Sequence, residues 1–496
     1  MKNPIKPPVS IIHFTPLLRA LLGVALLFAF SDESEGARKG RFTATDLQVF
    51  NPSFTVSSAT AQWIDQAGSF QAALPINLSP RASQYFTPEL SGLVPDTFIG
   101  GVEIVSDTGF IFATVTHFDK GNTAPDFERG NEHYEVRAAD STNTQLNAPV
   151  LIVSGTVRSN ISILSLGSRP ATVTLQFHRD TGVVAASVVT TVVGNALIDI
   201  TDILSGVAPF SGTARLLSNQ SVSSYVSIYD GLTQKGYTLA PKPLPNGSGQ
   251  APQTYTRSRF PNVQPTDDEF ITRTLYIQNI DLYQAGVVVS SRFGTLFTGT
   301  IPALGQIAYT LPYSKAITEL FLDSDQHLEG VLLIDDANSG DRDQVTGAAA
   351  YPALSPRRDQ ALVRNVAAAA HCAVAPTVYG GYNGWQTSLR LVNMGDVSGT
   401  AVITYFPALG ASATNSPIAV TRVLTPGISV IPDYTPIANS NAAWSAYIEA
   451  DVPFIGDVTS IHPNISDGMM AYRIEPSDCV LPPPPPRLMY VPQALR

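Results

Sequence analysis

The 496-residue sequence has little cysteine, tryptophan or charge: two Cys, three Trp and 14% charged residues. A usual domain carries about 25% charged residues. With 44% apolar residues beside that shortage, wholesale disorder is excluded. Basic residues are the scarcer sign, 30 Lys and Arg against 40 Asp and Glu, a net charge of −10. That balance excludes a nucleic-acid partner held by a basic surface. Catalytic signatures are also missing. There is no HExxH, no GxSxG elbow, no Walker loop and no GxGxxG after a strand. The seven histidines, His13, His117, His133, His178, His327, His371 and His462, form no close ligand pair. His117 and His462 fall near the ends of predicted strands, where a structural role is the expectation. An enzyme reading therefore has no anchor, and no cofactor or metal is expected.

Long apolar runs are absent except at the start. Residues 1–31 carry Lys2, Lys6 and Arg19 and no acid, then an apolar run from Ala20 to Phe30. Eleven residues suit the core of a signal peptide and fall short of the ~20 that span a bilayer. Ala29 and Ser31 fit a small-x-small cleavage pattern before Asp32, with Ala37 a second candidate; a retained anchor over Val9 to Phe30 is the alternative. Cleavage removes three positive charges and takes the net charge from −10 to −13. The expected address is secreted or cell surface, with no membrane span after cleavage.

What is present is a repeat. The segments LQVFN, ISILS, LYIQN and LRLVN end at Asn51, Ser165, Asn279 and Asn393, each 114 residues after the last. Their alternating apolar positions predict half-buried strands closed by a turn residue. A second strand follows each: ATAQWI from Ala59, ATVTLQF from Ala171, AGVVVSS from Ala285 and AVITYF from Ala401. Turns recur at Pro80, Gly194, Gly305 and Gly427. Small residues then open another strand: Gly100, Gly212, Gly330 before VLLID, and Ser445. Closing strands are FIFATVTHF, SVSSYVSIY, VTGAAAYPAL and FIGDVTSIH. Six or seven short strands per unit, with no 3.6-residue period, predict an all-β chain of four tandem antiparallel β-sandwich modules in series.

The modules are placed at residues 38–122, 147–235, 256–355 and 373–475. Residues 236–255 are expected to be an extended linker, and residues 363–372 a linker or short helical turn. Module two opens with the strand PVLIVSG, whereas the matching place in module one is the charged EGARKGR at 35–41. Module one is therefore expected either to lack its first strand, leaving an edge, or to fill the gap with residues 38–46. Cys372 and Cys479 flank module four; in an exported chain such a pair predicts a disulfide, two free thiols being the alternative. The tail, residues 480–496, has a stiff five-proline spacer at 482–486 and then ten residues. Those ten could be a disordered end, a sorting or anchoring signal, or a strand donated to a neighbour.

These landmarks resemble a family of largely uncharacterised secreted bacterial repeat proteins, built of tandem Ig-like β-sandwich modules with a proline-spacer tail. The stretch YNGWQTSLRLVNMGDVSGTAVITYF, Tyr382 to Phe406, and ADVPFIGDV from Ala450 carry the likeness best, with SDTGFIFA from Ser106 and Tyr490 and Pro492 in the tail. Modules two and three depart from the pattern at several turns. The resemblance implies export and surface deployment and supplies no catalytic residue.

Two local features invite a binding role. The loop YGGYNGW places Tyr379, Tyr382 and Trp385 together, rings that could stack on a sugar or pack the end of their module. The acidic run from Asp335 to Asp343 has oxygen ligands for Ca²⁺, but Gly340, Asp341 and Gly347 stand where an EF-hand needs a ligand, a Gly and a Glu. A polar hairpin tip is the simpler reading. Glycosylation sequons occur at Asn77, Asn160, Asn219, Asn246 and Asn464. The sequence thus predicts an exported, non-enzymatic structural or adhesive protein whose partners are the cell envelope, the extracellular matrix or copies of itself. Its alternatives are a filament subunit assembling head-to-tail by strand donation, and a carbohydrate- or matrix-binding protein.

Overall fold

A computed structural model describes residues 22–28, 44–86, 92–94, 100–106, 111–119, 129–135, 138–139, 144–155, 157–200, 204–230, 235–239, 241–244, 256–260, 271–314, 317, 319–336, 359–364, 369–410, 416–430, 436–438, 440–461, 469–477 and 479. Among these there is no α-helix, only two three-residue 3₁₀ turns. The strands fall into four groups along the chain, each contributing two sets of paired strands.

The first group is β1 (Leu22–Phe28), β2 (Ala44–Phe50), β3 (Ser57–Asp65), β4 (Phe70–Leu78), β5 (Ser83–Phe86), β6 (Gly100–Ser106), β7 (Phe112–Asp119), β8 (Arg129–Glu135) and β9 (Ala138–Ala139). They pair as β4-β3-β6-β1-β9 and β5-β2-β7-β8. The second is β10 (Gln145–Val153), β11 (Val157–Ser165), β12 (Ala171–Arg179), β13 (Val184–Val192), β14 (Leu197–Ile200), β15 (Phe210–Ser218), β16 (Val222–Asp230), β17 (Lys235–Leu239) and β18 (Lys242–Pro243). Its orders are β13-β12-β15-β10-β18 and β14-β11-β16-β17.

The third is β19 (Thr256–Phe260), β20 (Ile271–Asn279), β21 (Ala285–Ser291), β22 (Gly294–Ile301), β23 (Gln306–Thr310), β24 (Leu320–Ser324), β25 (Leu328–Asp336) and β26 (Asp359–Arg364). These pair as β19-β24-β21-β22 and β23-β20-β25-β26. The fourth is β27 (Ala370–Gly380), β28 (Gln386–Asn393), β29 (Gly399–Leu409), β30 (Ile418–Leu424), β31 (Ser429–Val430), β32 (Ala442–Ile461), β33 (Met469–Arg473) and β34 (Glu475–Pro476). Here the 20-residue β32 serves both sets, pairing with β27 and β29 through its first half and with β28 and β33 through its second.

Period-2 patterning builds each core. Along β12, Ala171, Val173, Leu175 and Phe177 are buried while the residues between them are not, and they meet Ile161 and Ile163 of β11 and Val226 of β16. Leu47 and Val49 of β2 likewise meet Ala61, Trp63, Val102 and Ile104. Each such aliphatic side chain contributes roughly 1.5–3 kcal/mol on burial. The recurring Asn has a specific task. Asn51 Nδ2 donates to the carbonyls of Thr55, Leu78 and Ser79, and its Oδ1 accepts from Ser53 N. Asn279 does the same with Tyr283, Ile301, Pro302 and Asp281, and Asn393 with Val397, Leu424 and Gly395. All three are fully buried. A carboxamide supplies donors and an acceptor on one short stem, so it locks the turn to the end of the next hairpin; Ser165 cannot make this set.

Several expectations need correction. Gly330 and VLLID do not open the strand equivalent to those at Gly100 and Gly212. They belong to β25, which lies antiparallel to β20, and the equivalent opening strand is β24. Gly330 is small because a Cβ there would stand 2.7 Å from the Phe260 ring. Residues 345–354 lie outside the described residues, and β26 pairs on that side of β25 instead. The expected linker at 236–255 is strand over its first part, β17 and β18, and the residues between the first two expected modules hold β8 and β9. Ala370 to Cys372 extend β27 rather than forming a helical turn. The place beside β6, expected to be empty or filled by 38–46, is taken by β1. Leu22, Val24, Leu26 and Phe28 stand opposite Ser106, Ile104, Val102 and Gly100.

The groups are not strung out in series, because the chain closes on itself. Strands β8, β17, β26 and β33 approach one another pairwise within 8 Å between Cα atoms: β8 with β17, β17 with β26, β26 with β33, and β33 with β8. The contacts recur at equivalent places. Leu197 N donates to Gln66 O, and Gln306 N to Asp180 O. In the fourth group, Ala408 and Leu409 pair in parallel with Ser83 and Gln84 of the first. The first and fourth groups, most distant in sequence, therefore share a continuous sheet.

Candidate functional site

The predicted aromatic loop lies at this closing seam. Tyr379 is the penultimate residue of β27, and Gly381, at φ +87°, reverses the chain into the 3₁₀ turn Tyr382–Gly384. A left-handed residue at that point favours glycine. Gly381 N donates to Trp385 O at 2.8 Å and Trp385 N to Tyr382 O at 2.9 Å, so both rings return to one side. Tyr379 stacks on Tyr382, with centroids 6.4 Å apart at 8°, and lies 6.3 Å from Trp385. Tyr382 in turn meets the edge of Tyr85, from β5 of the first group, at 5.2 Å. Tyr379 is 2% exposed and Trp385 1%, packed with Ala408 and Ala443. Of the two readings of this loop, sugar stacking or packing, Tyr379 and Trp385 take the second: they are buried in a cluster that joins the first and fourth groups, with Tyr382 partly buried at its margin.

Below the rings, a second cluster sets Phe50 against Cys372, Val374 and Tyr447, with Phe406 at 5.8 Å. The Arg81 guanidinium lies 3.5 Å over the Tyr447 ring and 4.1 Å over Phe54. Between the clusters runs a buried polar thread. Gln48 Nε2 donates to Trp444 O at 2.8 Å, Ser445 Oγ at 3.0 Å and Ser83 Oγ at 3.1 Å. The Ser445 hydroxyl also reaches Ser83 Oγ at 2.8 Å and the Pro376 carbonyl. The Tyr472 hydroxyl accepts from Thr377 N at 3.1 Å and donates to Thr377 O; burial raises its pKa. The Cys372–Cys479 disulfide forms, with Cα atoms 5.2 Å apart, and ties the exit of the fourth group to β27 across 107 residues.

The seam between the second and third groups uses different chemistry. Asn147 of β10 donates to Gln278 Oε1 at 2.6 Å and to Glu329 Oε2 at 2.7 Å, and Gln278 Nε2 returns a bond to Asn147 Oδ1 at 3.1 Å. All three are buried. Arg215, opposite Asn147 in β15, reaches Ile280 O at 3.3 Å. Burial lowers its pKa, while the nearby Asp281 carboxylate raises it.

No arrangement for catalysis emerges among the described residues. His178 is buried on β12 with Nδ1 3.2 Å from Gly182 O; burial lowers its pKa, the Gly182 carbonyl opposes this, and Arg215 adds to it. His327 Nδ1 lies 3.0 Å from Asp281 Oδ2, which also accepts the His327 backbone N–H, a local turn lock. His371 Nδ1 is near Ala450 O. The side chains of His13, His117, His133 and His462, residues 337–343 of the acidic run, and the tail 480–496 lie outside the described residues.

The seam residues Gln48, Asn147, Gln278 and Glu329 were not singled out from the sequence. Their signal was polar residues inside otherwise apolar strands, as in LQVFN and QLNAPV. Buried amides in such places need partners, but nothing in sequence names a partner 131 or 396 residues away.

No family model matches this chain, and no curated protein matches it. Among solved structures, one described as "Crystal Structure of Thermotoga maritima 1070" aligns over 22% of this chain and 95% of its own, with 18% identity and a TM-score of 0.19.

Proposed function

We propose that the protein is an exported, non-enzymatic structural element of the cell envelope or extracellular matrix, made of four Ig-like β-sandwich modules packed onto one another. The repeat reading is supported by the pairing order: β4-β3-β6-β1, β13-β12-β15-β10, β22-β21-β24-β19 and β30-β29-β32-β27 follow one scheme, as do β5-β2-β7-β8 and its three counterparts. The observation that carries the functional reading is the use of the aromatic loop. Rings available for a ligand in an isolated module are spent on holding the first module to the fourth. A disulfide suits an oxidising compartment, and the apolar start of the chain suits export.

The test is fractionation of the producing cells with protease shaving, followed by intact-mass measurement of the recovered chain. Protein in the surface or medium fraction, with the disulfide formed, is the expected result. Protein confined to the cytosol with free thiols contradicts the reading. The mass also reports the fate of β1, because cleavage before Asp32 removes it from its place beside β6.

A further inference from the structure

Strands β10, β19 and β27 hold one place in the repeat, antiparallel beside β15, β24 and β32. Each contains or runs into an apolar residue followed by proline: Ala148-Pro149, Phe260-Pro261 and Ala375-Pro376. Across that proline the ladders of β10 and β27 shift register, between Ala148 and Leu151 and between Ala375 and Val378. Proline has no N–H to give a ladder, so it falls at such irregularities. The three prolines stand 16, 18 and 17 residues before Ser165, Asn279 and Asn393. The same distances before Asn51 fall on Glu35, Glu33 and Ser34, where there is neither proline nor an apolar residue.

The matching piece is at the other end of the chain. Pro261 follows Pro149 by 112 residues, Pro376 follows Pro261 by 115, and Pro492 follows Pro376 by 116. Pro492 comes directly after Val491, and residues 488–495 carry no charge. The place requires that character. Residues 146–151 of β10 and 372–380 of β27 are buried without alternation. Such a strand pairs within its own group while the next group covers it: β10 lies within 8 Å of β20 and β25, and β27 of β2 and β7.

In the first group that place, beside β6 and within 8 Å of β11 and β16, is taken by β1. Cleavage before Asp32 removes β1 and leaves the place to be filled. The tail starts close to it. Cys479 is bonded to Cys372, which packs with Phe50 and Phe112 of the first group. Five residues separate Phe112, which opens β7, from Ser106, which closes β6, and Ser106 stands opposite Leu22 at the entry end of the place. The twelve residues 480–491 can extend to about 40 Å, against roughly 10 Å between the facing sheets of a sandwich.

From these observations we infer that residues 488–495 are the first strand of the first group in the processed chain. The tail of the same chain enters beside β6, antiparallel to it, and is covered by β11 and β16. A strand then fastens the fourth group to the first, in addition to the aromatic seam. The inference rests on the leader cleavage of the functional reading, but not on a surface location.

The experiment is amide exchange on the disulfide-bonded chain starting at Asp32, at a concentration where sedimentation shows a monomer. The same chain ending at Arg487, with and without a synthetic peptide of residues 488–496, is compared with it. Protection is expected over 488–495 of the intact chain. Truncation should abolish protection in β6 while β12 and β28 keep theirs, and the peptide should restore it. Tyr490→Asp/Val491→Asp in the intact chain should have the same effect as truncation. Protection of the tail is read on the intact chain, so it decides the matter even where a shortened chain does not fold. A tail that exchanges like a free peptide, or β6 protection unchanged by truncation, overturns the inference. So does tail protection seen only in an oligomer, which would put the strand in a second copy, or an intact Asp32 chain that does not fold. Every chain is made to start at Asp32, so the result stands apart from whether cells cut there, which fractionation and intact mass decide.

Discussion

The two best-defined seams occupy equivalent places in the fold yet bury opposite chemistry. Where the fourth group meets the first, the contact is aromatic: Phe50, Tyr85, Tyr379, Trp385 and Phe406, threaded by one glutamine and two serines. Where the second meets the third, it is an amide and carboxylate network of Asn147, Gln278 and Glu329. The difference teaches how similar modules can select neighbours. A module presenting Glu329 against the aromatic seam would leave a carboxylate buried without its donor, which costs far more than a lost contact. Packing strength holds one seam, and mutual hydrogen-bond satisfaction fixes the other.

Substitutions can break this comparison in order of size. Trp385→Ala should cost about 4 kcal/mol, the range for deleting a buried indole. Hydrogen exchange should then rise in β2, β5 and β27 while β10 and β20 stay protected. Asn147→Leu should cost about 3 kcal/mol by leaving Gln278 and Glu329 without that partner, with the exchange pattern reversed. Equal loosening of both seams by either variant would show that they are not separate.

A sharper and smaller contrast concerns the turn locks. Asn393→Ala should cost about 2 kcal/mol in a denaturant titration, because the buried Leu424 carbonyl, the half-buried Val397 carbonyl and the Gly395 N–H lose their partner. Ser165→Ala, at the equivalent place in the second group, should cost less than about 1 kcal/mol.

The smallest effect is expected from pH. Burial holds His178 below its usual 6.5, so the unfolded chain binds the proton first. Stability is complete above about 6.5 and falls as pH drops below it, until the lowered folded value is reached. His178→Gln should flatten the melting-temperature profile between pH 7 and about 5, and an unchanged slope would remove His178 as its cause.

Much of the fold was legible because local rules act on local residues. Alternation along LRLVN and ATVTLQF gave strands, and the 114-residue register marked the recurring Asn before its hydrogen bonds were known. The cysteine pair was legible from its spacing around one unit. Other features were hidden for identifiable reasons. GVLLID fits either of two strand positions by pattern, and only its ladder with β20 decides between them. Leu22 to Phe28 suit a leader core and a strand equally, since both need an apolar run. The role of Tyr379 and Trp385 was half legible: their clustering could be read, but their partner Tyr85 lies some three hundred residues earlier.

The central claim is that the chain closes, first group against fourth. Small-angle scattering of the purified, disulfide-bonded chain at low concentration tests it most directly. A closed particle of 496 residues should have a radius of gyration of about 23 Å. A value above roughly 40 Å, with the long maximum dimension of four modules in a row, would contradict the account.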